Sequence, residues 1–167
     1  VEQVLAGLRR RELTVADALR GDRMAEERPN LWVYQPPKYA PLGGPPPVRA
    51  VSHALRKQAL RADARALGMK SPIVCVSTPT QFDARNDLPA RLRVYHIVDD
   101  YLAYHDLRED RRDRYARMER ELIDWADLVV VVSPELLETK RAAATRSKFR
   151  LLPNGFDATA YSPNRPV

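Results

Sequence analysis

The chain has 167 residues, 44% of them hydrophobic and 30% charged, which is enough to bury one full core. Its single cysteine, Cys75, excludes an internal disulfide and a cysteine-built zinc site, and its longest aliphatic run, Leu128 to Val132, is too short to span a bilayer. The formal net charge of +6 predicts an anionic partner surface, among which nucleic acid ranks last because no basic-aromatic RNA-binding signature is present.

In chain order, Val1-Glu2 reads as the tail of a strand. Thr14 to Leu19 follows as a short helix capped by Thr14 and Asp17 and stopped at Gly21. Leu31 to Tyr34 is a predicted strand, followed by a Pro- and Gly-rich loop from Gln35 to Pro47. Val48, Val51, Leu55, Ala59, Ala62 and Ala66 then recur at helical spacing, and the helix ends at Gly68. Ile73 to Val76 is the next strand, with Cys75 expected to be buried in it. Arg93 to Val98 is the third, ending in Asp99-Asp100. A helix from about Arg112 to Ala126 carries Tyr115, Met118, Leu122 and Trp125 on its apolar stripe. Leu128 to Val132, apolar at every position, reads as a central parallel strand. Ser133-Pro134-Glu135 opens a helix with a cap, a proline and a first-turn acid. Phe149 to Leu152 is a last strand before the turn Pro153-Asn154-Gly155.

This alternation predicts an α/β fold: a Rossmann-like, largely parallel sheet with helices on both faces. The segments leaving the strands, Gln35 to Pro47, Ser77 to Leu88 and Asp99 to Arg111, are long, whereas those entering them are short. Open parallel sheets bind ligands outside the carboxyl ends of their strands, so the long loops point to a cleft on that edge.

The candidate chemistry gathers there. Asp99 and Asp100 directly follow a strand and can serve as a general base, bind a metal ion or hold a sugar hydroxyl; capping the next turn is the structural alternative. His96 lies within the strand, where side chains alternate between faces. The helix from Val48 carries Arg49, His53, Arg56, Lys57, Arg61 and Arg65, a cationic face suited to solvent or to an anionic membrane.

The string Val94 to Tyr101 resembles the "Y-H-x-x-D-D-x" segment of retaining bacterial glycosyltransferases of the GT-B class, the teichuronic-acid and exopolysaccharide sugar transferases among them. Glu119 to Ser133 is similar to that family's "E-x-x-x-x-x-x-A-D-x-V-x-x-x-S" block. Leu151 to Asp157 looks like its "x-x-P-N-G-V/I-D" turn, with Tyr161 near an aromatic anchor. Asn30 to Tyr34 with Pro36-Pro37 resembles a further recurring segment, so the likeness covers about residues 30 to 163. The A-D…S block together with P-N-G-x-D is the more specific part of the pattern.

The resemblance implies the amino-terminal, acceptor-side domain of a two-domain enzyme, here residues 1–153, with 154–167 beginning the linker. It further implies an opening strand before Val1 and a donor-binding domain after Val167, so that this chain alone is expected to be inactive. The implied reaction transfers a hexosyl unit from a nucleotide-sugar to a glycan or lipid-linked acceptor. Asp99 and Asp100 would be catalytic, and His96, Ser133, Asn154 and Gly155 would contact substrate. No metal or cofactor is implied, since such enzymes hold the donor diphosphate with basic side chains and helix N-termini. Asn154 and Gly155 also suit a sharp left-handed turn. The expected location is cytoplasmic, with peripheral membrane contact through the basic helix 48–67. The alternative is a non-catalytic, receiver-like module whose acid pair binds magnesium; it would need a second acidic strand end and a conspicuous lysine after a later strand, and Leu128 to Ser133 leads to no such lysine.

Overall fold

A computed structural model describes residues 23–37, 39–40, 43–105, 107–142 and 148–155. The expectations for Val1-Glu2, Thr14 to Leu19, Asp157 and Tyr161 fall outside them. The chain divides into two compact units, Val1–Pro72 with Asn86–Pro89 and Ile73–Arg85 with Ala90–Val167.

In the first unit, β1 (Met24–Arg28) and β2 (Leu31–Tyr34) form an antiparallel hairpin. This corrects the assignment of Leu31 to Tyr34 to the parallel sheet. The reason is local: Pro29-Asn30 reverses the chain in two residues. Asn30 takes a left-handed φ of 65° and donates its N–H to the Glu26 carboxylate. The segment that begins at Gln35 therefore leaves a hairpin strand and not a strand of the parallel sheet. Helix α1 (Pro46–Ala66) starts on two prolines and covers the predicted periodic stretch. It ends as its glycine predicts. Gly68 adopts φ 77°, its N–H reaches the Arg65 carbonyl, and the Met69 N–H reaches the Ala64 carbonyl, closing a Schellman motif. Arg23 grips Asp63 of α1 through two 2.9 Å hydrogen bonds.

The second unit is a four-stranded, all-parallel sheet in the order β3 (Ile73–Val76), β4 (Leu92–Ile97), β5 (Leu128–Val131), β6 (Phe149–Leu151). A short 3-10 helix (Pro79–Ala84) follows β3, α2 (Glu109–Trp125) joins β4 to β5, and α3 (Pro134–Ala142) joins β5 to β6. This is a Rossmann-like α/β fold. The strand β5 is internal, as its uninterrupted apolar run requires.

Register sorts the side chains. Tyr95 pairs with Val129, Ile97 with Val131, and Val129 with Phe149, which places all five on one face, where each is buried. Leu122, Ile123 and Ala126 from α2 and Leu136 from α3 complete the same core. Cys75 is exposed, which corrects its expected burial. It lies on edge strand β3 one residue before the core residue Val76, so the strand's alternation turns it to the opposite face.

The edge of the sheet where the strands begin is clasped tightly. Asp127 Oδ2 accepts from the backbone N–H and Nε of Arg93, and its Oδ1 accepts from the same guanidinium. The Asp127 N–H returns a bond to the Arg93 carbonyl. Both N–H groups of the two-residue passage Ala126-Asp127 between α2 and β5 are therefore bonded. Hydrogen bonds from the Arg93 side chain and backbone hold the Asp127 carboxyl down from 3.8 to about 2. A depressed carboxylate stabilises the fold above its unfolded value, and that contribution is lost as pH falls through the folded one. Urea titrations between pH 5 and about pH 2 should therefore show the wild type losing stability that the Asp127→Asn variant, already weaker at pH 5, does not lose. Parallel pH profiles for the two proteins would show that the clasp does not contribute.

Candidate functional site

Where the strands end, the sheet carries two elaborate loops. After β3, Pro79 sets the first turn of the 3-10 helix, and the Ser77 N–H donates to the Gln81 side chain at 2.8 Å. The hydroxyls of Thr78 and Thr80 lie 2.6 Å apart. After β4, Asp99-Asp100 opens a turn in which the Ala103 N–H returns to the Asp100 carbonyl. The guanidinium of Arg112, on the first turns of α2, collects the carbonyls of Leu102, Tyr104 and Leu107. One arginine thus satisfies three carbonyls of a loop that has no strand or helix to satisfy them.

Between these loops lies a cavity of about 320 Å³, lined in part by Thr78, Thr80, Tyr101, Tyr104, Arg111 and Tyr115. Tyr101 and Tyr104 meet edge to face with ring centroids 5.9 Å apart. Tyr101 also donates to the Ser77 carbonyl across the two loops at 3.4 Å. Burial, and secondarily the charge of Asp99, pushes the Tyr101 hydroxyl up, so it remains a donor. The lining offers aromatic faces, hydroxyls and one cation.

The two acids sit differently. Asp99 is exposed; its Oδ1 accepts from the Asp100 N–H at 2.8 Å and its Oδ2 from the hydroxyl of cavity residue Tyr104. Asp100 turns inward. Its Oδ1 receives the Lys140 ammonium at 2.9 Å and, at 3.4 Å, the Leu102 N–H. Lys140 is only 4% exposed and makes a second 2.9 Å contact with Glu119, also 4% exposed. Burial alone would lower the pKa of Lys140. Its hydrogen bonds to Asp100 and Glu119 outweigh that and leave it raised. The second oxygen of Glu119 and the hydroxyl of fully buried Tyr95 have no hydrogen-bond partner among the described residues. Burial first, then the Glu119 carboxylate, pushes that hydroxyl well up and keeps it protonated.

Of the other residues singled out in the sequence, Ser133 follows β5 at the same sheet edge, where its Oγ caps α3 by accepting from the Leu136 N–H at 3.2 Å. His96 neighbours two core residues in β4 and its side chain points to the other face. Its Nε2 is buried without a hydrogen-bond partner among the described residues, and it does not line the cavity. Asn154 and Gly155 follow β6 exposed, and neither adopts the left-handed backbone expected of the turn. The chain leaves β6 without a regular turn at these residues. Sequence reasoning missed Lys140 and Arg112, because each reads as one more charge on an amphipathic helix, and it met Glu119 only as the first residue of the family-like block Glu119 to Ser133. The tyrosines at 101, 104 and 115, clustered around an acid pair, were the available signal.

No model of a known protein family matches the chain, and no curated protein sequence does either. Among the described residues, no helix is long and apolar enough to cross a membrane.

The buried Lys140 cluster yields a direct test. Lys140→Ala strands one buried carboxylate and should destabilise the fold by roughly 3–5 kcal/mol in urea titration, the range for removing one partner of a buried pair. Lys140→Met combined with Glu119→Gln, which removes both buried charges, should recover a substantial part of that loss. A raised lysine stabilises fully below the ordinary lysine range and stops doing so as pH rises through its folded value, so the wild-type advantage should shrink only at strongly alkaline pH. A single variant as stable as wild type would remove the cluster from the structural core.

Proposed function

We propose that this chain is the acceptor-side half of a GT-B glycosyltransferase, and that the cavity between the β3 and β4 loops receives the acceptor sugar. The observation that carries this reading is the cavity lining: three tyrosines, two threonine hydroxyls and Arg111, at the strand-end edge of a parallel sheet. Aromatic faces suit the apolar faces of sugar rings, and hydroxyl and guanidinium groups suit their hydroxyls. The sequence resemblance at Val94 to Tyr101, Glu119 to Ser133 and Leu151 to Asp157 supports the same assignment.

In this reading Asp99 and Asp100 divide their roles. Asp99, exposed and bonded to a cavity tyrosine, keeps lone pairs free on both oxygens to orient the attacking hydroxyl. Asp100, bound to Lys140, is a positioning residue that fixes the loop. The donor is a nucleotide-sugar and the acceptor a glycan or lipid-linked saccharide. Asn154-Gly155 begins the crossing to the donor side.

A second reading, a receiver-like module, gains one observation. The structure brings Lys140, on the helix after β5, to Asp100, supplying the lysine contact that such a module needs. Against it, that lysine is shared with buried Glu119. Magnesium titration followed by nuclear magnetic resonance separates the two readings: resonances at 99–100 should not move at millimolar magnesium if the acceptor reading holds.

Titration of the chain with a panel of bacterial-envelope oligosaccharides should perturb resonances of Tyr101, Tyr104 and Thr80. Tyr104→Ala should weaken binding roughly tenfold, about 1.4 kcal/mol. In the complete enzyme, Asp99→Asn should lower turnover about a hundredfold with little change in melting temperature, whereas Asp100→Asn should act mainly on stability. Oligosaccharide binding that ignores Tyr104, or normal turnover in Asp99→Asn, would overturn the assignment.

A further inference from the structure

A second cavity, larger than the one between the strand-end loops, lies wholly within the first unit at the carboxyl end of α1. It measures about 630 Å³ and is lined by Arg61, Arg65, Lys70, Met69, Leu88, Pro89 and their neighbours. We propose that it is a second ligand site, and that its ligand is a small anionic amphiphile: a phosphate or similar oxyanion carried on an apolar body.

The volume falls within the roughly 300–1,000 Å³ of small-molecule sites. Its lining has two kinds of chemistry. Met69, Leu88 and the two prolines Pro72 and Pro89 supply an apolar surface. Three cations stand beside it, and no carboxylate lines it among the described residues. Neutral or cationic ligands leave those charges uncompensated, and a fully polar anion leaves the apolar surface wet. Only a ligand with both parts satisfies the whole lining.

Two of the three cations are held in place by backbone carbonyls. Arg61 donates from Nε to the Asp87 carbonyl at 2.6 Å, and Arg65 donates from Nε to the Arg61 carbonyl at 3.1 Å. Each bond uses the inner nitrogen, and no bond to the terminal nitrogens of either residue is found among the described residues, so both forks stay open for an oxyanion. The carboxylate of Asp87 does not compete for them by contact, because its Oδ1 lies 3.1 Å from His53 Nε2. The end of a helix normally repels an anion through its unpaired carbonyls. Here the Schellman turn takes those of Asp63, Ala64 and Arg65 through the N–H groups of Leu67, Met69 and Gly68. The repulsive end is thereby capped, and three full positive charges face the space beyond it.

The inference is independent of the sugar-site reading, because it concerns a different cavity and a ligand that carries no sugar. Calorimetry with octyl phosphate, inorganic phosphate and octanol tests it on the intact chain. Octyl phosphate should bind one to one, with the two half-ligands at least about a hundredfold weaker, since each omits one of the two contacts. Arg65→Gln with Lys70→Gln, both exposed positions, should weaken octyl phosphate roughly tenfold, the scale of lost charged hydrogen bonds. Arg49→Gln with Arg114→Gln removes the same charge from residues that do not line the cavity and should leave binding unchanged. Vesicles of phosphatidylglycerol and of phosphatidylcholine identify the natural source. Charge-selective vesicle binding lost in the Arg65/Lys70 variant supports a bilayer ligand, and octyl phosphate binding without vesicle binding supports a soluble one. Inorganic phosphate or octanol binding as tightly as octyl phosphate overturns the proposal, as does equal weakening by the two double variants or no octyl phosphate binding at all.

Discussion

Lys140 holds together three parts of the second unit that the chain itself leaves far apart. From α3 it reaches Glu119 on α2 and Asp100 in the loop after β4, each at 2.9 Å and with the ammonium almost entirely out of water. Removing a lysine head from solvent is expensive, and only carboxylates at this range make it tolerable. The arrangement is therefore conditional: α2, α3 and the strand-end loop must all be in register for the charge to be satisfied. A greasy contact at the same place would tolerate sliding, whereas this one does not.

The two edges of the parallel sheet are built to opposite ends. Where the strands begin, the Arg93–Asp127 clasp closes a two-residue passage with backbone and side-chain bonds. Where they end, loops of ten residues and more are held at few points: by Arg112 through three carbonyls, by Tyr101 across to Ser77, and by Asp100 through Lys140. That leaves tyrosine faces and an exposed carboxylate presented on a fixed frame. Preorganisation of this kind would spare the proposed acceptor site the cost of ordering its loops on binding.

The same logic separates neighbouring residues of identical type. Asp99 and Asp100 differ by one position, yet one faces the cavity tyrosines and the other the buried ammonium, because a one-residue step at a strand end changes the direction of the side chain. Arginines divide likewise. Arg93 and Arg112 are consumed by the fold, while Arg61 and Arg65 spend one nitrogen each on the backbone and keep their forks open.

The pattern of residues by itself determined the parallel strands and their helices, because burial enforces it locally. Leu128 to Val131 has to be internal, Ser133-Pro134 has to start a helix, and Gly68 has to end one, whatever surrounds them. The edge bearing the cavity was legible too, from the lengths of the loops after β3 and β4. Tertiary structure decided the rest. The hairpin partner of Leu31 to Tyr34 is the charged stretch MAEER, whose pairing rests on backbone hydrogen bonds and a two-residue turn rather than on any apolar alternation. The partners of Lys140 lie 40 and 21 positions away in sequence and meet only because the crossovers stack their helices over one sheet face. A charge on a helix carries no local mark of whether it will face water or a distant carboxylate. That is settled by packing, and here packing determines which of two adjacent aspartates stays exposed and which is tied to a buried ammonium.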